Sequence, residues 1–150
     1  MSTTAPYGTW PSPITPGTIT TRTVRLSQVR VDGPDTYWVE QRASQAGRNV
    51  LLRRDGDGQI GEILPLTPSD ELVDVRTRVH EYGGRAYAVD SGIVVVSHAG
   101  DGRLYRYDVN HRLRGLVPLT IYGDVRHGDL EIDTGRGLVY AVREDHRGDG

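Results

Sequence analysis

Serine comes first among the residues able to do chemistry, because a hydrolase of the α/β class presents its nucleophile in a Gly-x-Ser-x-Gly turn. The chain has serines at 2, 12, 27, 44, 69, 91 and 97, and none follows a glycine by two residues. Without that turn there is no basis for a catalytic triad, so the chain alone is expected to be inactive as a hydrolase. Gly56-Asp57-Gly58-Gln59-Ile60-Gly61 matches G-x-G-x-x-G letter for letter. A pyrophosphate cradle of that form opens a helix, whereas strand-like residues follow here, and the segment reads as a hairpin turn. Asp55-Gly56-Asp57-Gly58 also begins like a calcium loop, but Leu66 stands at the twelfth position, where a bidentate Glu belongs. No metal and no cofactor is expected.

Two groups of charged residues remain. Asp129, Glu131 and Asp133 alternate, which puts them on one face of a strand. Paired carboxylates of that kind suit acid-base work, but an exposed face or a strand end near a loop accounts for them without a substrate. His80 and Glu81 are flanked by Arg76 and Arg78 and followed by Tyr82-Gly83-Gly84. The candidate substrate-binding residues are Arg78 and Glu81: Glu81 to accept a hydrogen bond from a peptide's ammonium group, Arg78 to donate to its carbonyls or carboxylate. The competing reading makes this segment the anchor of a chain crossover, with Tyr82 packed and the charges paired to each other.

The elements that would position these residues are short strands. Apolar and polar residues alternate over 24–31, Asp32-Gly33-Pro34-Asp35 breaks the run, and β-formers including Tyr37 and Trp38 resume over 36–40. Similar hairpins are expected at 86–90 with 93–97, through Ser91-Gly92, and at 130–133 with 138–142. The one helical candidate is a single turn over 68–75. An internal repeat turns the strands into an architecture. Leu51-Leu52-Arg53-Arg54-Asp55 leads to Pro65-Leu66-Thr67 as Leu104-Tyr105-Arg106-Tyr107-Asp108 leads to Pro118-Leu119-Thr120, without a gap. Units of about fifty residues with four antiparallel strands suit propeller blades. The predicted fold is all-β, an incomplete β-propeller of about two and a half four-stranded antiparallel blades. A Pro-rich arm over 1–23 precedes a partial propeller over 24–150, with blade one at 24–67, a crossover at 68–83, blade two at 84–120 and part of blade three at 128–143.

Composition limits the rest. A chain of 150 residues with a formal charge of −2 has no broad basic field for nucleic acid or anionic lipid. Its longest apolar run, 93–96, is strand-sized, so no membrane partner is expected, and the polar start lacks a secretory signal; the cytoplasm is the expected location. There is no cysteine. An incomplete ring leaves an apolar blade face bare, which predicts self-association or partial disorder after about residue 128.

Three segments carry a family resemblance: Thr4-Ala5-Pro6-Tyr7-Gly8-Thr9-Trp10-Pro11-Ser12-Pro13-Ile14-Thr15, Val75-Arg76-Thr77-Arg78-Val79-His80-Glu81-Tyr82-Gly83-Gly84, and Val142-Arg143-Glu144-Asp145-His146-Arg147. In this order and spacing they resemble the N-terminal propeller of prolyl oligopeptidase family serine peptidases, in the acylaminoacyl-peptidase or dipeptidyl aminopeptidase branch. Relatives often carry a third glycine where this chain has Arg85. The resemblance implies a non-catalytic propeller portion that gates and selects peptides for an α/β-hydrolase domain absent from these 150 residues. Peptides would then be partners only alongside that domain. The alternative is a stand-alone propeller-type binding or scaffold protein.

Overall fold

The computed structural model describes Thr4, residues 6–9, 24–111 and 114–147. The extended arm expected around Trp10 lies outside the described residues. Among the described residues, ten strands form three antiparallel sheets. The first sheet holds β1 (Val24–Asp32), β2 (Asp35–Arg42), β3 (Arg48–Arg54) and β4 (Ile60–Glu62), in that order. The second holds β5 (Tyr87–Asp90), β6 (Ile93–Ser97), β7 (Leu104–Asp108) and β8 (Val117–Pro118); the third holds β9 (Val125–Asp133) and β10 (Leu138–Asp145). The first strands of the three sheets, β1, β5 and β9, lie side by side. Sequential four-stranded meanders with adjacent first strands are the arrangement of propeller blades, as the repeat predicted. Among the described residues there is no α-helix; the single turn expected over 68–75 is a β-turn, in which Asp70 N–H donates to Thr67 O at 2.9 Å and Asp70 has φ 61°.

Ladder register shows how far the sequence repeat is a structural one. Val39 pairs with Leu51 and Tyr37 with Arg53; Ser97 pairs with Leu104 and Val95 with Arg106. Leu51 and Leu104 therefore occupy equivalent places on the third strands. The equivalence ends at the fourth strand. Ile63 N–H donates to Leu51 O, and the matching donor to Leu104 O is Leu119 N–H. The spacing is twelve residues in one sheet and fifteen in the other, so the gapless match of Pro65 with Pro118 is three residues out of structural register.

Period-two alternation explains the packing. Val94, Val96, Tyr105 and Tyr107 face the first sheet, where they enclose Tyr37, Val39 and Leu51. The alternate residues Val95 and Leu104, with Ala88, face the third sheet and meet Leu130 and Ile132. Of the two aromatic residues whose strand pattern predicts a place in the blade interior, Tyr37 is fully buried, whereas Trp38 on the opposite face is only half-buried.

Two bulges repeat as well. Gln28 in β1 and Asp129 in β9 each stand four residues before the aspartate that ends the strand, and each has a positive φ, 55° and 51°. Each turns a side-chain oxygen toward the entry of β5: Gln28 accepts from Ala86 N–H at 2.8 Å and Asp129 from Arg85 N–H at 3.1 Å.

Candidate functional site

The connection from the first sheet to the second is an extended segment. Val73, Val75, Thr77 and Val79 are buried, and Arg76, Arg78 and His80 are exposed between them. It laces the sheets together: Val75 N–H donates to Asn49 O at 2.9 Å and Arg76 N–H to Ser97 O at 3.2 Å. Asp74 N–H donates to Nδ1 of buried His98 at 3.1 Å. This side-chain acceptor, 24 residues from its donor, carried no signal in the sequence.

Beyond Val79 the backbone turns sharply. His80 and Glu81 both adopt left-handed conformations, φ 53° and 63°, which non-glycine residues enter at a cost and which tend to mark sites the fold has reason to hold. Gly83 closes the turn at φ 83°, and a Cβ there would lie 2.9 Å from Thr77 O, so only glycine fits. Tyr82 is thereby thrown into solvent, 97% exposed. That overturns its expected packing in the crossover.

Two charged residues of the loop, His80 and Glu81, are paired with the third sheet, whereas Arg76 lies 3.5 Å from Asp74 of the same connection. Glu81 forms an ion pair with Arg126 of β9, whose guanidinium holds the Glu81 carboxyl below its ordinary range and also donates to Arg78 O at 3.1 Å. Glu144 of β10 accepts from His80 N–H at 3.1 Å and lies 3.2 Å from His146 Nε2. His146 is the largest influence on the Glu144 carboxyl, which sits below its ordinary range. Two of the three sequence landmarks, 75–84 and 142–147, thus meet in space.

Two cavities flank the connection and share Arg76, Thr77 and Arg78 in their walls. One, of about 360 Å³, also contacts Asp101, Tyr122, Asp124 and Arg126; the other, of about 460 Å³, contacts Arg25, Glu81 and Tyr82. Arg78 therefore stands between the cavities, while Glu81 lines one and is tied to Arg126. The arrangement can present a cation, a carboxylate and an exposed phenol to a polar ligand.

The alternating carboxylates are placed otherwise. The bulge at Asp129 interrupts the single face, and all three groups are paired, Asp129 and Glu131 sharing Arg85. Glu131 receives Arg30 at 3.1 Å and Arg85, with Arg30 the larger influence lowering its carboxyl. Asp129 binds the Arg85 backbone, and Asp133 accepts from Arg136 N–H at 2.9 Å. Glu131 thereby joins side chains from or beside the first strand of all three sheets. Among the described residues no three histidine or acidic side chains converge as metal ligands, and no helix is long and apolar enough to cross a membrane.

Comparison with family models found no match, and comparison with curated proteins found none. Solved structures do match. Puromycin hydrolase is similar over 99% of this chain at 34% identity and a TM-score of 0.80. A mutant of puromycin hydrolase complexed with PGG matches 98% at 35% identity and 0.79, and a Mycobacterium tuberculosis puromycin-hydrolyzing peptidase matches 95% at 35% identity and 0.78. The chain spans 22–23% of the length of these proteins. The blade-like sheets, the meeting of the two landmark segments and this likeness lead to one assignment: the chain is a propeller segment of the prolyl oligopeptidase family of peptidases.

Proposed function

We propose that this chain is the non-catalytic propeller portion of a longer cytoplasmic peptidase, and that the 76–84 loop helps to select substrates for its hydrolase domain. The observation that carries this reading is the loop itself. Two consecutive strained residues, His80 and Glu81, present an exposed Tyr82 beside Arg78 and two polar cavities. Strain retained in an exposed segment fits a binding role better than a packing role. Puromycin, which the similar proteins hydrolyse by name, contains an aminoacyl group in amide linkage, so the proposed substrates are aminoacyl amides and short peptides with a free ammonium group. Glu81 would accept from that ammonium and Arg78 would donate to a substrate carbonyl.

The Glu81–Arg126 pair favours a second reading, in which the loop anchors the third sheet and touches no substrate. Kinetics on the full polypeptide distinguish the two. With Glu81→Gln, KM for substrates with a free N-terminus is expected to rise about tenfold, and KM for blocked ones to stay near its original value, because a charge-assisted hydrogen bond is lost only for the former. Equal losses on both substrate types, with a lower Tm, would support the anchor.

A further inference from the structure

A contact repeats at one end of the sheets. Asp32, the last residue of β1, reaches out of its own sheet and accepts from two backbone donors in the turn between β5 and β6: Ser91 N–H at 3.0 Å and Gly92 N–H at 2.7 Å. Asp90, the last residue of β5, does the same one sheet further on. It accepts from Thr134 N–H at 3.1 Å and the Thr134 hydroxyl at 2.6 Å, in the turn between β9 and β10. Each time the carboxylate that closes a first strand receives the first N–H of the next sheet's hairpin turn. Ser91 also donates to Asp90 at 3.1 Å, and Thr134 approaches Ser91 Oγ at 3.4 Å, so the turns are chained from sheet to sheet.

Asp133 closes β9 as Asp32 and Asp90 close β1 and β5. Here one of its oxygens accepts from Arg136 N–H in its own turn, and the other from the guanidinium of Arg136, a side chain 75% exposed. Asp90 divides its oxygens in the same way, one toward its own turn and one toward the next sheet. Among the described residues, the oxygen of Asp133 that corresponds to the outward one is thus held only by an exposed, displaceable arginine.

We propose that Asp133 is the docking point for a further β-hairpin, which it grips through the backbone N–H groups of the hairpin's turn. The occupant is a hairpin supplied by the same longer polypeptide and not a second copy of this chain. In a second copy the equivalent turn is Gly33-Pro34, and proline has no N–H, so one of the two donors used at Asp32 is missing. For the same reason the first turn of this chain is not built to receive a two-donor grip from any preceding aspartate. This inference rests on the reading of the chain as part of a longer peptidase, which activity assays test, whereas backbone amide exchange tests the grip.

The experiment is hydrogen exchange on the full polypeptide carrying Asp32→Asn, Asp90→Asn or Asp133→Asn. The first two variants calibrate it: the amides of Ser91 and Gly92, then of Thr134, are expected to exchange about tenfold faster, since each loses a hydrogen bond to a charged acceptor. Asp133→Asn is expected to accelerate, by a similar factor, the first amide of a hairpin turn outside residues 1–150. Acceleration confined to 134–137 would overturn the proposal. Arg136→Ala, which removes the competing guanidinium and keeps the carboxylate, is expected to leave that distant amide protected. Loss of its protection in Arg136→Ala would likewise overturn it, even if Asp133→Asn did not fold.

Discussion

Two contacts between neighbouring sheets both set first strand beside first strand and enclose very different amounts of side chain. Between the first and second sheets, four strands face four, and Tyr37, Leu51, Val94, Val96 and Tyr105 are almost entirely out of solvent. Between the second and third, four strands face two. Leu130 is fully buried there, yet Leu138, Val139, Tyr140 and Val142 on β10 stay exposed. The same alternation supplies both faces of the second sheet, so the difference lies in what each face meets. In a repeat architecture a blade's stability is largely its neighbour's contribution.

The largest expected contrast comes from truncating one leucine on each side. Leu51→Ala leaves a cavity in the closed contact and is expected to cost about 2–5 kcal/mol in denaturant unfolding. Leu138→Ala, at an exposed site, is expected to change stability by less than about 0.5 kcal/mol. Comparable losses would erase the distinction.

Alkali should act on the first contact alone, because its core holds tyrosines and the second core, Ala88, Val95, Leu104 and Leu130, holds none. Burial pushes Tyr37 and Tyr105 up to about 12 and Tyr87 further. A folded-state value raised above the unfolded one means that the stabilisation is complete below pH 10 and is lost as pH climbs toward 12. Unfolding monitored by tyrosinate absorbance is expected to begin in that window. Replacing Tyr37 by Phe should shift its onset upward, and an unchanged onset would assign the effect elsewhere.

Ion pairs give a smaller contrast. Burial acts to raise Asp35, but the hydrogen bond and charge of Arg53, at 2.6 Å, outweigh it and hold the carboxyl low; the two side chains are 13% and 17% exposed. Asp35→Asn is expected to cost about 2 kcal/mol. Glu131→Gln, at the more exposed junction with Arg30 and Arg85, is expected to cost about 1 kcal/mol or less and to fade in high salt. The reverse order would show that the junction of the three sheets carries more than its exposure indicates.

The hairpins were legible because Asp32-Gly33-Pro34-Asp35 and Ser91-Gly92 interrupt runs of strand-forming residues, and the third strands because Leu51 and Leu104 lie in buried ladders. The fourth strands were misaligned by three residues. They are short edges with few ladder partners, and the connection before β8 is three residues longer than that before β4, which no alternation records. At the candidate site the sequence pointed to Arg78 and Glu81. It could not show that Arg126, forty-five positions away, would claim the Glu81 carboxylate, because that contact depends on how the third sheet lies against the crossover. The exposure of Tyr82 follows from two left-handed residues that are not glycine, a conformation that side-chain types alone do not announce.

Native-state amide exchange on the chain is the most direct test of a propeller segment whose sheets are stabilised by their neighbours. The strongest protection is expected in β6 and β7, covered on both faces, intermediate protection in β2 and β3, and the weakest in β10, exposed along nearly its whole length. Protection of β10 equal to that of β6 would contradict the account.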